Sequence, residues 1–597
     1  MLDWFKKIAS SAKRAPSSAN AKVAVIDSSP HAELTQQCIA LKNNGDAYFD
    51  QGKIEDAATC YRQAIACNPD YAEAHNNLSN AYRVQNLFAD AEHHLRQAIR
   101  VKPEFANFYY NLASLLMAQG NLNDAIGNFR KALTYRPDHH AARAIMLRLL
   151  QKTCRWEDID SDITALRRSV SSAVESAENV FSPFIFITLP CTTPDEQKLC
   201  AEKWVRFEYQ TLVALRNNLA FDHKRPRNDK IGIGYLSADF REHPVARLMA
   251  EVFELHNRDR FRVTAYSYGP DDGSEIRKRL QNTFDQWIDI RGHSDVDTAR
   301  RIYADNIDIL VDLTGFTENS RSGILALRPA PLQLNYLGYL GTMGADFVDY
   351  LIADEFIIPP EHRKHYTEKI VYLPNCFQPN DRTRPQPPAP HRESCGLPDR
   401  GFIFCCFNQT YKITSEVFDI WCRLLVAVPG SVLWLLASTP HSEENLKREA
   451  TNRGVNPKRL VMAPMVKSEL YLARLQCADL FLDTFPYNAG TVCSDALWMG
   501  VPVVTRVGET FSSRMAGSLL SAMEVPELIS YNPEDYYQLA LDLATNRKRL
   551  DAIRGKIIAN CNSAPLFDSV RFTRDLEGIY STIMSNSQAV VPDATAD

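Results

Sequence analysis

The chain has 597 residues, enough for roughly three or four domains at ~150 residues each. Hydrophobic residues make up 45% and charged residues 23%, ordinary globular usage that excludes a chain disordered throughout. Lys+Arg 67 against Asp+Glu 72 leave a net charge of −5, so no bulk positive field points to nucleic acid.

Mean hydropathy is −0.28 and no apolar run reaches the ~18 residues a bilayer demands, so no transmembrane segment is expected. The start, Met-Leu-Asp-Trp-Phe-Lys-Lys-Ile-Ala, lacks a long apolar stretch, so a secretory leader is not expected either. The 14 cysteines contain no CxxC pair and no His-spaced zinc pattern. Free thiols in a reducing cytoplasm are the expectation. Residues 1–34, rich in Ser, Ala and Lys, read as a flexible tail. Trp4-Phe5-Lys6-Lys7-Ile8 offers a short amphipathic alternative.

Internal repeats follow over 35–152. Pro69, Pro103 and Pro137 recur every 34 residues. In phase with them stand Ala57/Ala91/Ala125, Ala64/Ala98/Ala132, Tyr61/Leu95/Phe129, Leu78/Leu112 and the small residues Gly45/Ser79/Ala113. Small residues where two helices touch, large ones in the groove and a closing Pro make the tetratricopeptide pattern. Three units run from about 38 to 139, and a degenerate fourth begins near His140. Stacked helix pairs present a concave surface for extended peptides or partner proteins; self-association through the same repeats is the alternative.

Residues 153–227, punctuated by Pro183 and Pro190, read as a helical connector. From Lys230 the texture becomes short β-branched runs between helical stretches. Strands are predicted at Lys230–Leu236, Phe261–Ser267, Ile307–Leu313, Leu332–Leu337 and Tyr350–Ala353. A Pro-rich stretch from Pro379 to Pro398 precedes a second series: Phe402–Phe407, Val432–Leu436, Leu460–Ala463, Leu480–Asp483 and Val501–Thr505. The fold class is thus an all-α solenoid followed by an α/β body of two doubly wound, Rossmann-like lobes, 228–384 and 385–565. A C-terminal helix at 566–584 and a tail at 585–597 complete the chain. In such sheets ligands sit outside the carboxyl ends of the strands.

Four constellations fall at those ends. In Gly232-Ile-Gly234-Tyr-Leu-Ser237-Ala-Asp239-Phe-Arg-Glu-His243-Pro244 the third glycine of a dinucleotide fingerprint is missing. What remains is Asp239 and His243, four residues apart on a loop, suited to a proton or a sugar hydroxyl, or simply to turning and packing that loop. Phe407-Asn408-Gln409-Thr410-Tyr411-Lys412 places a lysine at a strand end, a counter-charge for a phosphate leaving group. Leu482-Asp483 through Gly490-Thr491-Val-Cys-Ser494-Asp495 opens a helix from a small-residue loop, a setting for a diphosphate, with Asp495 placed for ribose hydroxyls or for capping. Val503 to Thr510, with Arg514 beyond, faces the same cleft without an assigned role. The triplets Asp158/Asp160 and Asp295/Asp297 lie in helical stretches and do not mark a metal site.

Together these residues resemble one family. Repeats followed by a two-lobed body look like the tetratricopeptide-containing protein O-GlcNAc transferases, GT-B glycosyltransferases that use UDP-sugars, here in a bacterial-type form. The likeness covers about residues 38–152 and 228–583. Further carriers are Pro270-Asp-Asp-Gly273, Ala326-Leu-Arg-Pro-Ala-Pro331, Leu337-Gly338-Tyr-Leu-Gly341-Thr and Ala478-Asp-Leu-Phe-Leu-Asp-Thr484. The resemblance implies that Lys412 neutralises the departing UDP β-phosphate, with Gln409 beside the nucleotide. It implies that Gly490, Thr491 and Val492 present the helix N-terminus to the diphosphate and that Asp495 holds the ribose. His243, with Asp239, would line the reaction centre and assist proton transfer or position the sugar. Leu337 and Gly338 would wall the sugar pocket with Arg321 close by, and Tyr471 and Lys467 would serve the uracil side. The chain departs from the family's animal members at Glu242, Val245, Leu340, Ser468 and Tyr471, and at Gly490-Thr491-Val492.

The implied function is inverting, metal-independent transfer of a sugar, GlcNAc leading, from a UDP-sugar to Ser/Thr hydroxyls of proteins held by the repeat groove. No cofactor is implied; the UDP-sugar is the donor substrate. Hexose transfer, transfer to Asn, and a non-catalytic scaffold with a nucleotide-binding body remain open, and an oxidoreductase is disfavoured by the incomplete glycine fingerprint.

Overall fold

The computed structural model describes residues 30–157, 159–172, 180–223 and 229–589. Expectations for residues 1–29 and 590–597, and for Asp158, lie outside the described residues. The chain forms two compact units. One comprises the repeats to Leu149 with Thr164–Phe181; the other comprises Leu150–Ile163 and everything from Ser182. The region read as a separate connector is therefore divided between the two units.

In the repeat unit, helices Pro30–Asp50, Ile54–Cys67, Ala72–Val84, Phe88–Val101, Ala106–Ala118 and Leu122–Tyr135 form three antiparallel pairs. The first begins at Pro30, inside the stretch read as a flexible tail. Ala57, Ala64, Ala91, Ala98, Ala125 and Ala132 are fully buried, because only a methyl group fits where paired helices touch. At Gly45 a Cβ would come within 2.6 Å of the Tyr61 ring, so the backbone itself forms the contact. Each first helix ends on a left-handed residue, Gly52, Asn86 and Gly120 with φ of 76°, 62° and 84°, which turns the chain into its partner. A polar ladder joins the repeats. Asn111 donates to Asn76 (2.7 Å), Asn76 to Asn77 (3.1 Å) and Asn77 to Asp46 (2.8 Å), which also receives Tyr61 (2.7 Å) and Lys42 (3.0 Å).

In the second unit the first lobe is a seven-stranded sheet of β1 (Ile231–Ser237), β2 (Phe261–Ser267), β3 (Gln286–Asp289), β4 (Ile309–Asp312), β5 (Leu332–Asn335), β6 (Tyr350–Ala353) and β7 (Lys369–Tyr372). Its order is β3-β2-β1-β4-β5-β6-β7, with every pairing parallel. The second lobe contains β8 (Ile403–Cys406), β9 (Val432–Leu436), β10 (Leu460–Ala463), β11 (Leu480–Leu482), β12 (Val503–Arg506) and β13 (Ile529–Ser530), in the order β10-β9-β8-β11-β12-β13, again parallel. Central strands covered on both faces need apolar side chains throughout, hence runs such as Val432–Leu436. Strand order reverses between β1 and β4 and between β8 and β11, and each reversal leaves a crevice at the carboxyl edge.

The C-terminal helix, Ser569–Ala589, runs five residues beyond the expected end at 584, into the stretch read as a tail. It packs on the first lobe. Glu577 accepts from the Asn257 N–H (2.7 Å) and meets His256 Nδ1 at 3.1 Å, while the Tyr580 and Tyr235 hydroxyls lie 3.0 Å apart. Ser569 adds a bond to Glu251 at 2.6 Å. Chain that has finished the second lobe thus returns to brace the first.

Candidate active site

At the β8/β11 reversal a buried carboxylate organises two loops. Asp483 is fully buried and accepts from the Ala489 N–H (2.7 Å), the Thr484 N–H (2.8 Å), the Thr505 hydroxyl (2.6 Å) and Asn408 Nδ2 (3.2 Å). Burial pushes its pKa up to about 6, while these donors and nearby Lys412 pull it back down. The loop after β8 turns through a 3-10 segment, Thr410–Lys412. Lys412 Nζ donates to the Asn488 carbonyl at 2.9 Å and lies 4.3 Å from the centre of the Tyr487 ring. The chain beyond β11, with a cis Phe485–Pro486 bond, reaches Gly490 and enters helix Thr491–Trp498. At Gly490 a Cβ would approach Met515 Cε to 2.3 Å and Gln378 Oε1 to 3.1 Å. Thr491 and Val492 are half-buried in the helix's first turn, where backbone N–H groups have no intrahelical acceptor. Cation and helix N-terminus are thereby placed on one loop assembly, the arrangement that stabilises a departing phosphate. Gln409 is exposed, and its carbonyl receives the Lys412 N–H at 3.0 Å.

One turn into that helix, Asp495 pairs with Arg384 Nη1 at 2.8 Å, both side chains 9% exposed. Burial, and then the Asp495 charge, push the Tyr471 phenol up, so it stays protonated. Lys467 begins the helix Ser468–Leu475 with its side chain in solvent, and its carbonyl accepts the Tyr471 N–H at 2.9 Å.

At the β1/β4 reversal of the first lobe, Asp239 is buried and His243 caps helix Pro244–Leu255. His243 Nδ1 accepts the Val245 N–H at 3.3 Å, and Nε2 stands 3.6 Å from Asp239 Oδ1. Burial, with Arg241 and Arg247, holds His243 down at about 4, so the ring is neutral near pH 7. With its Nδ1 lone pair engaged, that neutral ring carries its proton on Nε2. Burial raises Asp239 to about 7, against the opposing pull of Arg241. The neighbouring loops interlock. Ala238 N–H donates to the Thr314 hydroxyl at 3.2 Å, and a Cβ at Gly338 would lie 2.0 Å from the Leu313 carbonyl oxygen. Leu337 is buried with φ 70°, a strained conformation for a branched side chain, held by this packing.

Tyr339, beside Gly338, feels the Tyr487 phenol of the other lobe, and Asp495 feels Arg247, which follows His243 by one helical turn. The two reversals therefore face one cleft. Arg321 donates to Asp295 (2.9 Å) and to the carbonyls of Ile290 and His293 (both 2.9 Å). Its fork geometry fastens the start of helix Asp295–Ala304 to the neighbouring loop, and its side chain is only 15% exposed.

A family model described as glycosyl transferase family 41 matches residues 153–387 and 386–576. The chain belongs to glycosyl transferase family 41. Tetratricopeptide-repeat models match residues 45–86 and 78–141. Over 454 residues the chain is 34% identical to the probable UDP-N-acetylglucosamine–peptide N-acetylglucosaminyltransferase SEC of Arabidopsis thaliana, covering 73% of this chain and 46% of that protein. Over 476 residues it is 28% identical to the UDP-N-acetylglucosamine–peptide N-acetylglucosaminyltransferase of Caenorhabditis elegans, covering 61% and 41%. It thus spans less than half the length of these relatives. The solved structure of a point mutant of Thermobaculum terrenum O-GlcNAc transferase aligns with TM-score 0.66 and 27% identity, covering 94% of this chain and 99% of that one.

Three buried polar groups beside the predicted site residues escape the sequence reading. Asp483 stands in a motif that assigns it no role, because its partners Asn408, Ala489 and Thr505 meet only in the folded chain. Arg474, whose guanidinium lies 4.8 Å from the Phe407 ring and 5.7 Å from Tyr471, looks in sequence like any helix-surface arginine. Arg384 lies in the Pro-rich stretch that reads as a linker.

Proposed function

We propose that the chain transfers a sugar, GlcNAc leading, from a UDP-sugar to Ser/Thr hydroxyls of proteins by one inverting displacement. The observation that carries this reading is Lys412 bonded to the Asn488 carbonyl, on the loop that presents helix Thr491–Trp498. The acceptor oxygen attacks the anomeric carbon while the bond to the β-phosphate oxygen breaks. Lys412 and the helix N-terminus take up the charge left on UDP, so the reaction in this reading needs no divalent cation. The acceptor proton passes to Asp239, whose pKa near 7 suits a general base at neutral pH. His243, with its proton on Nε2, orients the sugar as a hydrogen-bond donor.

The repeats supply the acceptor groove in the same reading. The Asn76–Asn77–Asn111 ladder offers amide donors and acceptors suited to an extended peptide backbone, whatever its side chains. The 14 free thiols, most of them buried, support a reducing, cytoplasmic setting. The test is mass spectrometry of a protein acceptor after incubation with UDP-GlcNAc and a chelator. One added N-acetylhexosamine on Ser or Thr supports the reading. Modification confined to Asn, or dependence on added divalent cation, contradicts it.

A further inference from the structure

Helix His140–Lys152, which follows the three repeat pairs, ends within the second unit, and Thr153 and Cys154 just beyond it are fully buried. The last carbonyls of a helix have no intrahelical donor, so a buried end must find donors elsewhere. Cys154, with φ 52°, turns the chain back on itself. Its N–H reaches the Gln151 carbonyl (3.1 Å), and the Arg155 N–H reaches that of Leu150 (2.9 Å). The next two carbonyls take side chains of the second lobe. Asn445 Nδ2 donates to the Thr153 carbonyl (2.8 Å), and the Thr410 hydroxyl donates to the Lys152 carbonyl (2.8 Å).

Thr410 opens the 3-10 turn that carries Lys412. The Lys412 N–H donates to the Gln409 carbonyl and the Ile413 N–H to the Thr410 carbonyl, both at 3.0 Å. So short a turn has poor hydrogen-bond geometry and needs outside support to keep its shape. It is held from two sides. In front, Lys412 Nζ donates to the Asn488 carbonyl at 2.9 Å; behind, the buried Thr410 is fastened to Lys152. The Cys154 thiol adds a long contact to the Thr410 carbonyl at 3.8 Å. The Trp156 ring lies 5.5 Å from that of Phe418, on helix Ser415–Ala427 just after the turn. Asn445 stands on a different helix, Pro440–Asn452, so its bond secures the same helix end from outside the turn.

We propose that Thr410 is a positioning residue for Lys412: its hydroxyl, bonded to the Lys152 carbonyl, sets the turn so that Nζ meets the β-phosphate oxygen as the sugar–phosphate bond breaks. Thr410 and Lys412 share one tight turn, so a shift at the first is passed to the second. A small displacement of the cation is felt most when charge develops on the departing oxygen, and far less in the bound ground state. This inference rests on the leaving-group role of Lys412 in the UDP-sugar reading, and it adds the residue that fixes where that cation stands.

The test is a double-mutant cycle in the full chain, with kcat, KM for UDP-GlcNAc and thermal melts measured for Thr410→Val, Lys412→Ala and the pair. Thr410→Val keeps the branched shape and removes the donor. It is expected to melt within a few degrees of wild type, to lose about tenfold in kcat and to leave KM within about threefold. Thr410→Ala is expected to follow it, so either variant completes the cycle. Thr410→Ser keeps the hydroxyl and is expected to retain most of the wild-type kcat. In the Lys412→Ala background, Thr410→Val is expected to cost no more than about twofold further, because the group it positions is gone. Asn445→Ala removes the other side-chain donor at the helix end. It is expected to melt earlier by a similar amount while kcat stays within about twofold of wild type. Wild-type kcat in a natively melting Thr410→Val chain, an undiminished further loss on top of Lys412→Ala, or an equal kcat loss in Asn445→Ala overturns the positioning role. Wild-type turnover in Lys412→Ala overturns the leaving-group reading itself, and the positioning role with it.

Discussion

Lys412 Nζ donates to the Asn488 carbonyl at 2.9 Å, so the cation at the end of β8 is docked on the loop that feeds helix Thr491–Trp498. The bond joins two elements that a leaving diphosphate must meet together. Lys412→Ala removes one partly buried bond and a cation over the Tyr487 ring, a loss of ~1 kcal/mol of stability. Turnover should fall far more, by ~10²–10³-fold, because the charge matters only as the sugar–phosphate bond breaks. Parallel thermal melts and UDP-release rates check this; a variant that keeps wild-type turnover removes Lys412 from the leaving-group role.

Asp239 titrates near neutral pH and His243 does not. The folded pKa of Asp239, about 7, lies above its unfolded value near 3.9, so the native state binds the extra proton. Its contribution to stability is present at low pH and lost as pH rises through 7. As the base in transfer, Asp239 gives a rate that climbs through the same window. His243 stays neutral down to about pH 4 and adds no limb near neutrality. The pH profile of kcat/KM should therefore show one rising limb near 7 in the wild type and none in Asp239→Asn. A limb that survives in Asp239→Asn assigns the titration to another group.

Much of this architecture can be read directly from residue pattern. Phe261–Ser267, Tyr350–Ala353, Val432–Leu436 and Leu460–Ala463 match their predicted bounds residue for residue. Most of these positions are buried, and burial leaves an apolar signature. The edge strands β3 and β7 escape because Gln286–Asp289 and Lys369–Tyr372 are partly solvated and carry no such run. Site residues divide in the same way. Lys412, Gly490 and Asp495 stand at strand ends or a helix start, which sequence spacing reveals. The partners of Arg321, Asp295 and two carbonyls, are not legible in sequence because nothing local shows them. Arg384 is hidden because its partner Asp495 is 111 residues away.

Two glycines separate scaffold from site. Gly338→Ala sets a Cβ 2.0 Å from the Leu313 carbonyl oxygen, a backbone atom that cannot step aside. The variant should lose ~2 kcal/mol or more and unfold earlier by several degrees. Gly490→Ala meets the flexible end of Met515, so it should fold with a smaller loss, while KM for the UDP-sugar rises ~10-fold through crowding of the loop. Melting curves beside donor titrations distinguish the two. Equal destabilisation of both variants would contradict the distinction.

The asparagine ladder predicts a length-dependent acceptor effect. Asn77→Ala removes the link between Asp46 and Asn76, loosening the surface proposed to grip an extended backbone. KM for a long, unfolded protein acceptor should rise ~5–10-fold, while a short peptide confined to the active site is unaffected. Equal KM changes for both acceptors would place the ladder outside acceptor binding.

The most direct test of the whole account is UDP release from UDP-GlcNAc and from UDP-glucose, with protein acceptor present or absent, by wild type and Lys412→Ala. The account predicts acceptor-dependent release, faster from UDP-GlcNAc and abolished in the variant. Tight UDP binding with no release from either donor would contradict it, and would leave the chain a nucleotide-binding scaffold.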